Sequence, residues 1–391
     1  MAGFPEKGVP REEVLKRLEE MLAKDPVAWK QFGSMYRQPS PHPFAYEVFT
    51  KNLNRNSGDT VAFPGTHDVE VEVVAMLGSL FGAPKAAGAI VTGGAEANSV
   101  AMHVARNMGG KGKPEVILPV TAHYDFEVSA EILGLKPAYI GVDKDYRAAP
   151  EEVEKAVNKN TVAVVCTAGT TALGVVDPVE EIGSITEKHG LFLHVDAAFG
   201  GFVLPFLKGS RYPAPHFDFN VNGVSSVTAD PHKMGLTPIP GGGILLRQED
   251  YLKCVLGGHF TFTSSRSGGS VAAIWALIKL LGKEGYEKAV LKCVDLTHVL
   301  AEGVEAIDGL AIVAEPTMNI LGVKSDSVDM VKLAGELRKA GYGFKLFKLP
   351  DGVQCIRFVV QDHIEKEHVE ALLEVMERAV HVVRSARLSP A

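Results

Sequence analysis

The chain has 391 residues, 46% of them hydrophobic, with 47 Asp and Glu against 40 Lys and Arg and a formal net charge of -7. That balance describes a folded, mildly acidic protein and excludes disorder as its dominant state. No basic run is clustered, so nothing electrostatic favours nucleic acid or an anionic membrane as a partner.

From the amino terminus, Met1 to Glu20 mixes Glu with Lys and Arg at helical spacing and lacks the apolar stretch of a secretory signal. The first fifty residues, with Pro39, Pro41 and Pro43 close together, read as an arm leading into a large domain. Val69, Val73, Met76, Leu77 and Leu80 then share one helical face. After them, short apolar runs alternate with helical patterns and predict seven strands, at 88–91, 116–120, 137–142, 161–167, 191–195, 224–228 and 243–247. Most of these runs lack polar alternation, which suits a mainly parallel sheet covered by helices on both faces, the α/β arrangement. Pro150 opens one helix; Asp177 as cap, Pro178 at the first helical position and Glu180 three residues after the cap predict another through His189. Beyond an apolar helix at 272–281, the pattern changes to fewer, shorter strands and two amphipathic helices at 328–340 and 366–385. Because one core rarely grows through so long a chain, the expected division is an arm (1–50), a large domain (51–282) and a small C-terminal α+β domain (283–391). Cys166, Cys254, Cys293 and Cys355 form no C-x-x-C pair, and the longest apolar run, near Trp275, is broken by Lys279. A reduced, cytoplasmic protein with no membrane span, no disulfide framework and no structural zinc is expected.

Several polar groups fall at the carboxyl ends of predicted strands, where open α/β sheets place their ligands. Gly93-Gly94-Ala95-Glu96, between a strand and a helix reaching about Asn107, directs free backbone N–H groups at an anion, with phosphate the first candidate. A plain glycine turn is the competing reading. Asp196 ends a buried strand and needs a partner; an N-cap, a bonded turn, or half a metal site with His194 compete, although no third ligand has an evident spacing. Lys233, in Asp230-Pro231-His232-Lys233, is either a rim lysine or one whose pKa desolvation and nearby cations lower, leaving a neutral amine for a Schiff base. His123 and Thr171 end two further strands. A phosphate cradle, a carboxylate, an imidazole and a lysine on one edge suit pyridoxal 5'-phosphate better than a dinucleotide, and no G-x-G-x-x-G or Walker sequence competes.

His194-Val-Asp-Ala-Ala-Phe-Gly-Gly201 and Thr228-Ala-Asp-Pro-His-Lys-Met-Gly235 resemble the group II pyridoxal-phosphate decarboxylases, above all the archaeal L-tyrosine/L-aspartate decarboxylase family. The likeness extends through Gly65-Thr66 and the stretches 93–98, 167–177, 238–247 and 355–360. It implies the fold type I, transferase-like architecture of pyridoxal-phosphate enzymes, and a homodimer with active sites at the interface. By the same resemblance, Lys233 is the Schiff-base lysine, Asp196 the partner of the pyridine nitrogen, His123 the imidazole stacked on the ring, and Ala198 the contact on its other face. Gly94, Ala95, Asp230 and His232 resemble the phosphate cradle and Thr171 a cofactor contact, while Arg357 matches a small-domain arginine that holds the substrate carboxylate. Ser264 to Gly268 would reach a neighbour's phosphate. The implied reaction is α-decarboxylation of an L-amino acid, aspartate to β-alanine first and tyrosine to tyramine next.

Two departures from the family pattern stand out. Ala95 occupies a position where a hydroxyl residue is common, and the segment 257–268 is short and lacks the tyrosine that in related decarboxylases helps protonate the intermediate carbon. His259 is a candidate acid in its place, against a capping or packing role. Two alternatives accompany the leading reading. One is a pyridoxal-phosphate carbon-carbon lyase of the sphingosine-phosphate-lyase type, which is similar around Asp196, Lys233 and Arg266. The other is a binding protein that keeps the cofactor fold without turnover.

Overall fold

The computed structural model describes residues 7–25, 27–35, 42–109, 112, 114–255 and 261–388. Helices α1 (Arg11–Leu22), α2 (Pro43–Lys51) and α3 (Pro64–Leu80) come first. An alternation follows of β1 (Ala87–Val91), α4 (Gly94–Met108), β2 (Glu115–Pro119), α5 (Asp125–Leu133), β3 (Lys136–Ile140), α6 (Pro150–Ala156), β4 (Thr161–Thr167), α7 (Val179–His189), β5 (Phe192–Asp196), β6 (Val224–Ala229) and β7 (Gly242–Leu246). The chain closes with α8 (Gly268–Ala306), β8 (Ala311–Ile312), β9 (Ile320–Lys324), α9 (Met330–Lys339), β10 (Lys345–Lys348), β11 (Gln354–Val359) and α10 (Lys366–Leu388).

All seven predicted apolar runs become strands of one sheet, in the order β1-β7-β6-β5-β4-β2-β3. The pairs β2/β3, β2/β4, β4/β5 and β5/β6 are parallel, and only β7 runs against its neighbours β1 and β6. Every residue of β4, β5 and β6 is buried, which is why their sequences show no polar alternation. Gly242 lets β7 begin against the β1–α4 turn: a Cβ there would lie 2.5 Å from the Gly93 backbone.

One local helix signal differs from the structure. Helix α7 starts at Val179 with Pro178 as its cap and no side-chain cap bond. Asp177 caps nothing; its oxygens accept from the backbone nitrogens of Ala148 and Thr167, each at 2.7 Å. Two buried amide donors outcompete the exposed helix end, where water can serve instead.

The four-stranded antiparallel sheet β10-β11-β9-β8 has its own core, with Phe32, Leu333, Phe358 and Met376 fully buried. Helix α8 connects the two bodies. Its first half packs Val271 and Ile274 on the large-sheet core, it breaks at Gly282 (φ 56°), and Leu300 and Val304 reach the small-sheet core. The segment before α2 also belongs to this second core: the Val359 nitrogen donates to the Phe32 carbonyl at 2.6 Å, and the Trp29 ring stacks on His368. No helix among the described residues is long and apolar enough to cross a membrane.

Candidate active site

A cavity of about 390 Å³ opens at the carboxyl ends of β1, β4, β5 and β6 and beside the loop after β2. Gly94, Ala95, His123, Thr171, Asp196, Ala198, Asp230, His232 and Lys233 all line it. Residues as far apart as 94 and 233 meet because parallel strands deliver every βα loop to the same edge.

The β1–α4 turn forms the floor. The first-turn N–H groups of α4 have no partner within the helix, and its positive end faces the cavity. Side chains on the glycines would block it: a Cβ on Gly94 would sit 2.8 Å from Asp230 Oδ2 and one on Gly93 3.0 Å from His232 Cε1. Ala95 brings no hydroxyl, and the nearby hydroxyls of Thr92 and Thr263 are committed to Glu96, whose carboxylate accepts from the nitrogen and Oγ1 of both threonines at 2.8–3.0 Å. Burial raises the Glu96 pKa, but these four bonds outweigh it and hold the group below the ordinary carboxylate range. They also fasten the segment around Thr263 to the cradle.

Lys233 Nζ lies 3.0 Å from Asp230 Oδ2, while Asp230 Oδ1 is buried without a partner among the described residues. The expectation of a depressed lysine pKa is overturned. Burial does act in that direction, yet the carboxylates of Asp230, Asp196 and Asp125 outweigh it and bind the ammonium proton more tightly than usual. The charges acting on Lys233 are the carboxylates of Asp230, Asp196 and Asp125, and among the described residues no cation of the kind expected offsets them. His232 Nδ1 accepts from the Gly241 nitrogen at 3.1 Å, so in the neutral ring the proton is on Nε2, 3.6 Å from Asp230 Oδ2. Burial lowers the His232 pKa and favours that neutral form.

Asp196 is buried at the edge of the cavity. Its Oδ1 accepts from the Ala198 nitrogen and its Oδ2 from Asn98 Nδ2, both at 3.1 Å. Burial first, and then the Asp125 carboxylate, push its pKa up, while Lys233 pulls it down. His123 Nδ1 lies 3.1 Å from Asp125 Oδ1. His194, read from sequence as half of a possible metal site, spends both ring nitrogens on hydrogen bonds, to Ser226 and Asn98. Asn98 and Asp125 carried no role in the sequence reading. Asn98 lay inside the recognised 93–98 stretch, at the helical spacing from Gly94 that returns a side chain to the same face; Asp125 stood two residues from His123.

Arg357 is placed differently. It is fully buried but does not line the cavity. Its Nη1 donates to the Thr171 carbonyl at 2.9 Å and its Nη2 to the Gly33 carbonyl at 2.6 Å, while Nε has no partner among the described residues. Burial pushes its pKa down to about 10. Arg266 is also committed internally, to both carboxylate oxygens of Glu70 and to the carbonyls of Ile90 and Ser57. His259 lies outside the described residues.

A helix-start turn with free N–H groups, a lysine beside a carboxylate, a buried carboxylate and a flanking imidazole fit pyridoxal 5'-phosphate in donor set and in open space. Residues 2–324 match the family described as the pyridoxal-dependent decarboxylase conserved domain. A probable L-aspartate decarboxylase of Pyrococcus abyssi is 42% identical over 385 residues, covering 95% of this chain and 98% of that protein. A probable L-tyrosine/L-aspartate decarboxylase of Methanothermobacter thermautotrophicus is 44% identical over 346 residues, covering 86% and 94%. Among solved structures, a sphingosine-1-phosphate lyase of Burkholderia pseudomallei superposes with a TM-score of 0.90 at 27% identity, covering 99% of this chain and 94% of that one. The glutamate decarboxylase of Lactobacillus brevis gives 0.90 at 20%, covering 98% and 95%, a likeness of fold alone. These two relatives, at above 40% identity, are named as decarboxylases, and the lyase is a more distant likeness at 27%. The chain belongs to the pyridoxal-dependent decarboxylase family, with the fold type I architecture, and is a pyridoxal-phosphate-dependent amino-acid decarboxylase.

Proposed function

We propose that the preferred reaction is α-decarboxylation of L-aspartate to β-alanine and carbon dioxide, with L-tyrosine to tyramine as the next substrate to test. Relatives named as L-aspartate and L-tyrosine/L-aspartate decarboxylases at 41–44% identity support the choice of substrate. The observation that carries the assignment of the site is the convergence of Lys233, Asp196 and His123 above the α4 turn.

When bound, pyridoxal phosphate supplies a carbonyl carbon for an amine and a ring that takes up the electron pair left as carbon dioxide departs. Lys233 Nζ would hold it covalently, with Gly94, Ala95, Asp230 and His232 around its phosphate and Ala198 and Thr171 against the ring. Asp230 Oδ2 is placed to receive the proton that Lys233 must lose before its nitrogen is nucleophilic. Asp196 would oppose a positive ring nitrogen with a buried carboxylate, where the pairing is strongest. His123, half-exposed at the rim, would cover one ring face. Arg357 would grip the substrate's α-carboxylate through its unpartnered Nε, after giving up one of its carbonyl bonds. Orientation of the scissile bond then selects decarboxylation.

The same reading includes a homodimer. Helix α1 buries none of its residues and exposes Val14, Leu15, Leu18, Met21 and Leu22 along one stripe, a face suited to a second copy. Four unpaired cysteines support a reducing, cytoplasmic setting. We divide the chain into 1–50, 51–282 and 283–391, at the break in α8, although Tyr286, Val290 and Val294 beyond it still pack on the large-sheet core.

The test is product analysis of the pyridoxal-phosphate-loaded protein with L-aspartate, L-glutamate and L-tyrosine, following carbon dioxide and amine together. β-Alanine as the dominant product supports the assignment; dominant tyramine or 4-aminobutyrate overturns it.

A further inference from the structure

Asn98 sits in the second turn of α4, buried, and its amide is fully used. Nδ2 donates to Asp125 Oδ2 and to Asp196 Oδ2, each at 3.1 Å, and Oδ1 lies 3.0 Å from His194 Nε2. An amide oxygen only accepts, so the proton in that last contact belongs to His194 Nε2. His194 Nδ1 is then an acceptor and takes the hydroxyl hydrogen of Ser226 at 2.7 Å. Thr228 Oγ1 also stands 3.4 Å from Nε2. A flipped amide would set its oxygen against two carboxylates, so this chain of bonds admits one orientation of Asn98.

We propose that Asn98 is a positioning residue for decarboxylation: one amide, oriented by His194, joins the carboxylate assigned to the ring nitrogen, Asp196, to the carboxylate that lies 3.1 Å from His123 Nδ1, Asp125. The inference rests on the roles proposed above for Asp196 and His123. It makes the group beneath the ring nitrogen and the group flanking the ring a single unit, separated by 98 positions in sequence at one contact and 27 at the other.

The groups facing Asp196 are Asp125 from α5, His123 from the loop after β2, Lys233 from the loop after β6, Asn98 from α4 and the Ala198 N–H. Two like-charged carboxylates so close in a buried site repel each other, and the two N–H groups between them are what make the pair tolerable. Removing the amide should therefore cost most while both charges remain. Asp125→Asn removes one charge and should make the loss of Asn98 far less damaging.

The experiment compares the wild-type holoenzyme with Asn98→Leu, Asp125→Asn and the double variant. Three quantities are read: cofactor affinity by equilibrium dialysis, the pH midpoint of the bound-cofactor absorbance with its visible circular dichroism, and the separate kcat and KM. Asn98→Leu is expected to weaken cofactor binding about tenfold, to raise the pH midpoint and to lower kcat with KM within about threefold. In the Asp125→Asn background the same change should cost less than about threefold. Equal effects in both backgrounds, or a wild-type pH midpoint in Asn98→Leu, overturn the inference. Should Asn98→Leu not fold, the His194 variants decide. His194→Gln keeps a donor for Asn98 Oδ1 and should hold the wild-type midpoint, whereas His194→Leu should shift it as Asn98 loss would; identical midpoints overturn the inference. Borohydride trapping of the cofactor on wild-type Lys233 is read in parallel. Its absence brings down the functional reading and the inference together, whereas trapping with unshifted Asn98 variants brings down the inference alone.

Discussion

Asp177 and Asp196 stand beside the carboxyl ends of the neighbouring strands β4 and β5, both buried and both pushed toward protonation by that burial. Asp177 is closed off: two backbone nitrogens fill its oxygens, and its pKa rises to about 6. Asp196 is held by one backbone nitrogen and one side-chain amide, and it shares a cavity with Lys233. Burial and a shifted pKa are common to both, so neither marks function. The distinction lies in the partner: a carboxylate answered wholly by backbone ties loops together, while one answered by side chains and opposed across open space can act on a ligand.

Substitutions should separate the two regions in opposite directions. The largest effect belongs to the cavity side: Lys233→Ala should lower turnover by about 10⁴-fold or more and abolish borohydride-trappable cofactor, as mass spectrometry of the peptide would show. Asp196→Ala should lower kcat by about 10²–10³-fold and, because relief of the Asp125 repulsion offsets the stranded Ala198 nitrogen, lower the unfolding midpoint of the apoprotein less than Asp177→Ala does. Asp177→Ala should do the reverse. It strands the buried nitrogens of Ala148 and Thr167 and should cost about 2–5 kcal/mol in denaturant unfolding, with kcat of the folded fraction within a few-fold of wild type. A tenfold or greater fall in that kcat would break the comparison.

Acid sharpens it further. Asp177, raised to about 6, is protonated in the folded state where the unfolded chain is not, so between about pH 4 and 6 its contribution to stability grows as pH falls. Burial pushes the His194 pKa down to about 3, so the unfolded chain binds a proton the folded state refuses, and stability falls as pH drops from 6.5 toward 3. Over the shared window the two oppose each other at up to about 1.4 kcal/mol per pH unit. Asp177→Asn should leave the histidine unopposed and steepen acid destabilisation by about that amount, read from unfolding curves at pH 4, 5 and 6. The smallest effect belongs to Glu96→Gln, which weakens the tie to Thr263 and should speed hydrogen exchange at the Thr263 amide by about tenfold with a modest change in cofactor affinity.

Pattern in the chain was enough to place the seven strands of the large sheet, because β4, β5 and β6 are buried along their whole length and read as unbroken apolar runs. It was also enough to bring Gly94, Asp196 and Lys233 to one edge, since a parallel sheet sends every βα loop to the same side. Asp177 does not cap α7 because a cap signal is local, whereas the amides that claim its oxygens come from a loop 29 positions earlier and from the end of β4. The proton affinity of Lys233 depends on which charges surround the ammonium: Asp230, three residues away in the same motif, contributes most, but only the fold turns its carboxylate onto Nζ and adds Asp196 and Asp125 from far in the sequence.

What the sequence by itself determined was the class of fold and the kinds of group at the strand ends, because burial periodicity and short motifs are written in consecutive residues. Only the tertiary structure decided that Asn98 joins Asp125 to Asp196, that Arg357 is anchored on the carbonyls of Thr171 and Gly33, and that Arg266 is bound to Glu70. Each of these is a hydrogen bond or ion pair across at least 27 positions, formed because a buried polar group must find a partner and no neighbour in sequence supplies one.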